Sequence, residues 1–277
     1  MTPSPTITLN NGVEIPQLGF GVFLIPPDET ADAVSAALQT GYRHIDTAQG
    51  YRNEEGVGKA LARSGLGRDE VFITTKLVNG QHGYDKTMAG YEASAKRLGV
   101  EVIDLFLIHW PLPMFDQYVE TWRALCQLLA DGRVRSIGVS NFEVEHLERL
   151  AAETDITPAL NQIELHPEFS QQELRDYHES HGIVTEAWGP LGQSRGLLEE
   201  PAVTHLAEVK GRTPAQIVLR WHIQIGNVAI PKSTTPHRIR ENFEIFDFVL
   251  DASDMEVIAG LDRGRRLGPH PNEFDLV

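Results

Sequence analysis

The chain has a single cysteine, Cys126, among 277 residues. One thiol forms no internal disulfide, so no disulfide framework holds this fold, and a reducing, cytoplasmic setting is expected. Cys126 lies in the apolar stretch Ala124–Ala130, the setting of a small buried helix residue rather than a nucleophile. Cations are scarce too: 24 Lys and Arg face 39 Asp and Glu, a formal net charge of −15. With no basic surplus to neutralise phosphates, no nucleic-acid partner is expected. An anionic ligand finds a place only where a few Lys or Arg side chains converge. No apolar run reaches the ~20 residues that a membrane span requires, so no membrane partner is expected either. Met1-Thr2-Pro3-Ser4-Pro5-Thr6 has no basic patch and no apolar core, unlike a secretory signal. The eleven histidines show no ligand spacing such as His-Glu-x-x-His, and no metal is expected. Gly19-Phe20-Gly21 lacks the third glycine of a dinucleotide-binding fingerprint.

What is present is a regular alternation. Hydrophobic residues make up 41% and charged residues 23%, enough apolar surface for a sizeable core. Strand-like runs at Leu18–Val22, Arg43–Asp46, Val71–Lys76, Val102–His109, Val134–Val139, Ala159–Leu165, Ile183–Trp188 and Val228–Ile230 are short and apolar. Between them lie amphipathic stretches: Asp28–Thr40, Glu54–Ser64, Tyr84–Leu98, Gln117–Asp131, Glu143–Ala152, Gln171–His181, Pro201–Lys210, Pro214–Ile225 and Pro236–Ile245. Near-continuous apolar strands are buried on both faces, and alternation with helices implies a parallel sheet. Eight such units in about 250 residues predict an α/β chain closed as a (β/α)₈ TIM barrel. One domain spanning 1–277 is expected, since no linker or low-complexity segment interrupts the pattern. Ile7–Leu9 and Val13–Ile15 flank Asn10-Asn11-Gly12, which predicts an N-terminal β-hairpin plugging the barrel bottom. Ser253-Asp254-Met255-Glu256 reads as a capping box opening one extra C-terminal helix. The Gly- and Pro-containing tail from Gly264 to Val277 reads as a surface loop.

In such barrels the chemistry sits at the C-terminal ends of the strands. The second strand ends in Asp46, with Tyr51 in the following loop. The third ends in Lys76 and the fourth in His109. Taken singly, each has a plainer role: Asp46 as a turn cap, Lys76 as a solvated strand end, His109 as a satisfied core histidine, Tyr51 as packing. Converging on one rim, they have complementary ones. Reducing a carbonyl needs a hydride on carbon and a proton on oxygen. A Tyr hydroxyl can donate, but its unperturbed pKa of ~10 is high for this work. A neighbouring ammonium favours the phenolate and lowers that value. Lys76 can supply the charge, Asp46 can hold the ammonium, and His109 can orient the carbonyl oxygen.

Asp46-Thr47-Ala48-Gln49-Gly50-Tyr51-Arg52-Asn53-Glu54 resembles the aldo-keto reductase motif of Asp-Thr-Ala, two residues, Tyr, one residue, Asn-Glu. Thr74-Thr75-Lys76-Leu77, Ile108-His109-Trp110-Pro111, Gly138-Val139-Ser140-Asn141-Phe142 and Pro231-Lys232-Ser233 are similar to its other blocks, in order. Ala187-Trp188-Gly189-Pro190-Leu191-Gly192 is similar to the bacterial 2,5-diketo-D-gluconic acid reductase branch. The resemblance implies a reductase with Asp46, Tyr51, Lys76 and His109 as a tetrad and Tyr51 as general acid. It implies NADPH bound in an extended manner across the mouth. Ser140, Asn141 and Gln162 would hold the nicotinamide carboxamide, with Trp188 stacked on the ring. Gly189, Leu191 and Gln193 would line the pyrophosphate path. Lys232, Ser233, Thr234 and Arg238 would take the 2′-phosphate, with Glu241 and Asn242 at the adenine.

Two of these positions carry competing local readings. Ser140-Asn141-Phe142-Glu143 is also a capping box, and Trp188 can serve as core packing. Thr235-Pro236 reads as N-cap and first residue of the last barrel helix. That start offers free N–H groups and partial positive charge beside Lys232, Ser233 and Arg238. Where relatives often run Lys-Leu-Trp-Asn, this chain has Lys76-Leu77-Val78-Asn79, so a pocket aromatic is missing. Phe23, Val78, Trp110 and His270 are the expected substrate wall, and a small carbonyl compound is the expected partner of a monomeric enzyme. A Schiff-base aldolase using Lys76, or a non-catalytic NADPH-binding relative, are the alternatives on the same barrel.

Overall fold

Eight parallel strands follow one another around a closed barrel, in a computed structural model that describes residues 2–277. They are β3 (Phe20–Gly21), β4 (His44–Asp46), β5 (Phe72–Leu77), β6 (Ile103–Ile108), β7 (Val134–Ser140), β8 (Leu160–Glu164), β9 (Val184–Trp188) and β10 (Val228–Ala229). Each pairs with the next in sequence order. A parallel bridge between Leu18 and Ala229 closes the ring. The Gly19 N–H donates to Ala229 O at 2.9 Å and the Ala229 N–H to Gln17 O at 2.9 Å. Glycine is required at this seam: a Cβ on Gly19 would lie 2.6 Å from His44 Nδ1.

The hairpin predicted below the barrel is present. β1 (Thr6–Thr8) pairs antiparallel with β2 (Glu14–Pro16), Ile7 opposite Ile15. Leu9 and Ile15 bury themselves against Phe72, Leu105, Leu107 and Leu160, forming an apolar floor. Each such fully buried side chain contributes roughly 1.5–3 kcal/mol.

The helices form the outer layer: α1 (Pro27–Thr40), α2 (Glu54–Arg63), α3 (Tyr84–Leu98), α4 (Tyr118–Ala130), α5 (Val144–Glu153), α6 (Gln172–Ser180), α7 (Pro201–Lys210), α8 (Pro214–Gln224), α9 (Pro236–Phe243) and α10 (Ala252–Ala259). Their inner stripes meet the strands in one large core that includes Trp122, Tyr42, Tyr91 and Phe106.

Two expected capping boxes are corrected. α10 starts one residue earlier than Ser253, and its cap is Asp251. Asp251 Oδ1 accepts the Asp254 N–H at 3.0 Å, and Asp254 Oδ2 accepts the Asp251 N–H at 2.8 Å. A carboxylate complements the positive helix end better than a hydroxyl, and the Ser253 hydroxyl itself donates to Asp251 at 2.7 Å. Ser140 likewise caps nothing. β7 runs through it, Asn141 turns the chain at φ 62°, and α5 begins only at Val144. There the Glu143 N–H is met by His146 Nδ1 at 3.0 Å.

Candidate active site

The barrel mouth gathers the strand-end residues. Asp46 closes β4, Lys76 sits one residue before the end of β5, and His109 directly follows β6. Parallel pairing sets their heights: Asp46 lies opposite Thr74, and Lys76 opposite Leu107. The Lys76 ammonium donates to both Asp46 oxygens, at 2.7 and 2.8 Å, and to Thr47 O at 2.9 Å. Its Nζ lies 3.4 Å from the Tyr51 hydroxyl. The Tyr51 ring meets the His109 ring edge-on at 5.7 Å, and the half-exposed Phe23 covers Tyr51 at 4.9 Å.

The loop carrying Tyr51 is clipped shut by the rest of its motif. Tyr51 ends a short 3₁₀ turn, and Arg52 reverses the chain at φ 58°. The Thr47 hydroxyl donates to Asn53 Oδ1 at 2.9 Å, while Asn53 Nδ2 donates to Val22 O and Ile25 O. Gln49 anchors the middle of the loop through Gly90 O, and its Oε1 accepts the Val78 N–H at 2.9 Å. Glu54, buried below, takes the Thr75 hydroxyl and Arg97. Every polar side chain of the motif except the exposed Arg52 therefore has a partner.

Electrostatics follow from burial and from one ammonium. Burial alone lowers Lys76, but Asp46, Tyr51 and Glu186 outweigh it and hold the amine above the ordinary lysine range. Burial pushes Asp46 above the usual carboxylate range, opposed by Lys76 and Gln162. His109 falls to about 3 through burial and the nearby Lys76 charge, so its imidazole is neutral. Tyr51 corrects the expectation: burial raises it above 10, more than Lys76 lowers it. The hydroxyl thus keeps its proton, while the ammonium selectively favours the anion left after transfer.

Beside the tetrad lies a second set. The Ser140 hydroxyl donates to Gln162 O at 2.9 Å. Asn141 Nδ2 donates to His109 O and to Ser140 Oγ, both at 3.0 Å. Its Oδ1 accepts the indole N–H of Trp188 at 2.8 Å. Gln162 donates to Asp46 and to the buried Glu186, each at 2.8 Å. Past Trp188 the chain turns through Gly189 at φ 60° and Gly192 at φ 67°, with Leu191 packed on the core and Gln193 exposed. The Pro190 carbonyl lies 3.2 Å from His222 Nε2, which pins this loop.

The remaining predicted positions divide by element. Lys232, Thr234 and Arg238 are exposed, and Ser233 is half-buried. The Ser233 hydroxyl oxygen accepts the Thr235 N–H at 3.1 Å. Thr235 and Pro236 are the N-cap and first residue of α9, as expected. Lys232 and Arg238 form no ion pair among the described residues. Glu241 gives its carbonyl to Gln216 at 3.1 Å, and Asn242 is a buried residue of α9. Val78 is half-buried beside Gly50. His270 sits in a tail turn, where its Nδ1 accepts the Asn272 N–H at 3.2 Å. The tail residue that reaches Trp110 is Phe274, at 4.3 Å between ring centroids. Sequence reading also missed Glu186. Its signal was available: a carboxylate in the middle of an otherwise buried strand.

The fold, the tetrad spacing and the ordered blocks agree with one family, and its sequence model matches residues 17–263 as the Aldo/keto reductase family. The chain belongs to the aldo/keto reductase family. An aldo-keto reductase of Mycolicibacterium smegmatis is 56% identical over 274 residues, covering 99% of each chain. The methylglyoxal reductase DkgA of Escherichia coli K12 is 48% identical over 273 residues, covering 98% of each. A Gox0644 variant solved in complex with NADPH superposes with a TM-score of 0.95 at 51% identity, covering 99% of each chain. In aldo/keto reductase terms, the barrel closed by Leu18 and Ala229 is the family's (β/α)₈ fold.

Proposed function

We propose that this aldo/keto reductase is an NADPH-dependent reductase of small aldehydes and ketones, acting as a single-domain monomer. The observation that carries the reading is the Lys76 ammonium, held on Asp46 at 2.7 and 2.8 Å and set 3.4 Å from the Tyr51 hydroxyl. Methylglyoxal, named for the E. coli relative, is a fitting substrate, as are diketones and keto-sugar acids.

The residues present fit the cofactor. Lys232 and Arg238, unpaired among the described residues, flank a helix start whose Thr235 side chain caps no N–H. Such a start, with an arginine fork, suits a dianionic phosphate. A tethered, half-buried indole at Trp188 offers a flat face beside the tetrad. Ser140, Asn141 and Gln162 would hold the nicotinamide end, and Gly189, Leu191 and Gln193 the pyrophosphate. Lys232, Ser233, Thr234 and Arg238 would hold the 2′-phosphate, with Glu241 and Asn242 near the adenine. When bound, the cofactor supplies the hydride.

The chain's own residues supply the proton and the orientation. Neutral His109 can donate an N–H to the substrate oxygen. Tyr51 gives that oxygen its proton, and Lys76 stabilises the resulting phenolate. Asp46 keeps the ammonium charged and aimed. General acid catalysis of this kind contributes roughly 10²–10⁴ in rate. The charged state of Lys76 argues against the aldolase alternative, since a protonated amine is no nucleophile. Phe23, Val78, Trp110 and the tail near His270 would wall the substrate.

The test is to follow NADPH absorbance with methylglyoxal, aromatic aldehydes, diketones and keto-sugar acids. Turnover of at least one class is expected. No NADPH oxidation with any of them, by protein that binds NADPH, would support the non-catalytic alternative.

A further inference from the structure

Gln162 carries a side-chain amide whose two ends differ in what they offer: one accepts hydrogen bonds, the other donates two. Which end faces the mouth decides what it can recognise there. Both N–H groups are directed inward, one to Asp46 Oδ2 at 2.8 Å and one to Glu186 Oε2 at 2.8 Å. Among the described residues its Oε1 has no protein partner, and it is not an enclosed unpaired atom. Reversing the amide would set its oxygen against the Asp46 carboxylate. With Asp46 alone as acceptor, however, the second N–H is left free to rock toward the mouth.

Glu186 is built into the barrel for this contact. It stands opposite Gln162 in the β8–β9 register and is fully buried. The groups around it are Asp46 and His44 on β4, Lys76 on β5, and the Tyr51 hydroxyl above. His44 Nε2 lies 3.6 Å from Glu186 Oε1 and 3.0 Å from the Thr74 hydroxyl. Burial, then Asp46, pushes Glu186 up to about 8, while burial pushes His44 down to about 3. At neutral pH Glu186 is therefore a neutral acid. Its carbonyl oxygen still accepts from Gln162. An unused carboxyl here would only cost stability.

We propose that Glu186 is a positioning residue: by accepting the second N–H of Gln162, it leaves only the Gln162 carbonyl oxygen to meet the amide N–H of the nicotinamide carboxamide. The inference rests on the cofactor reading above. It makes Glu186, which never touches the cofactor, responsible for how the nicotinamide amide is recognised.

The test compares binding of NADPH with that of its analogue carrying an acetyl group in place of the carboxamide, by fluorescence titration. The analogue has no N–H to give. Wild type should bind it roughly 3–10-fold more weakly, the worth of one neutral hydrogen bond. Glu186→Gln still offers an acceptor oxygen and should keep that ratio. Glu186→Met offers none and should bring the ratio close to one, with NADPH the ligand that weakens. A Glu186→Met protein that retains the wild-type ratio overturns the proposal, as does a Glu186→Gln protein that loses it. If wild type binds neither ligand, the cofactor reading itself fails instead. A measurement free of variants is hydrogen exchange at the Gln162 side-chain amide. Both N–H protons should be protected before and after NADPH is added, and exchange at free-amide rates would sink the proposal even if Glu186→Met does not fold.

Discussion

The indole N–H of Trp188 donates to Asn141 Oδ1 at 2.8 Å, tying the last residue of β9 to the turn after β7. The same Asn141 holds the His109 carbonyl and sits at φ 62°, a conformation that Asn tolerates better than most residues. One side chain thus fixes both a platform and the residue before Trp110. Asn141→Ala should cost about 2–4 kcal/mol, from left-handed strain plus unpaired buried groups. Asn141→Gly relieves the strain alone and should fall between the two in urea unfolding. An Ala variant within about 0.5 kcal/mol of wild type would show that the tie carries no energy.

Tyr51→Phe removes the hydroxyl 3.4 Å from Lys76 and little else, since the ring keeps its contacts with Phe23 and His109. NADPH binding should survive while carbonyl reduction falls at least ~10²-fold. Turnover near the wild-type rate would remove Tyr51 from proton transfer.

Arg238 is exposed in the first turn of α9 and unpaired among the described residues, so its fork is available to a phosphate. Losing one charge-assisted hydrogen bond of ~1.5–3 kcal/mol means roughly 10–150-fold weaker binding. Arg238→Ala should raise the NADPH dissociation constant by that factor and leave NADH nearly unchanged. The preference for NADPH should also shrink as salt rises. Equal losses for both cofactors would show that Arg238 reads something other than the 2′-phosphate.

Stability should depend on pH in two opposing ways. Burial pushes His44, His109, His178 and His222 down to about 3 and His82 to about 4. Their unfolded value is ~6.5, so between roughly pH 3 and 6.5 the unfolded chain binds more protons. Their contribution is present above that window and is lost as pH falls through it. Glu186 runs the other way, with a folded value of about 8 above its ordinary 4.5. Its contribution is complete below pH 4.5 and is lost as pH rises through about 8. Glu186→Gln should therefore gain on wild type between about pH 5 and 9, by up to a few kcal/mol at ~1.4 kcal/mol per unit. Urea midpoints across that range test it. A constant difference between the two proteins would mean that Glu186 does not titrate in the barrel.

The sequence by itself determined the barrel, because its information is periodic and local. Short apolar strands, amphipathic helices and glycine or proline at their ends recur around the ring, and nearly every boundary fell within two residues. It also marked the four residues that meet at the mouth, since Asp46, Lys76 and His109 stand at the ends of three consecutive strands and Tyr51 follows Asp46 in one motif. Tertiary structure alone decided what those residues contact sideways. Gln162 reaches Asp46 across 116 positions of sequence, and the Asn79 side chain holds Leu276 O across 197, bringing Phe274 rather than His270 onto Trp110. It also decided charge states. A local reading credits Lys76 with lowering the Tyr51 value, but burial by residues from several strands wins. Desolvation is a sum over everything that packs around a group, and no stretch of sequence contains that sum.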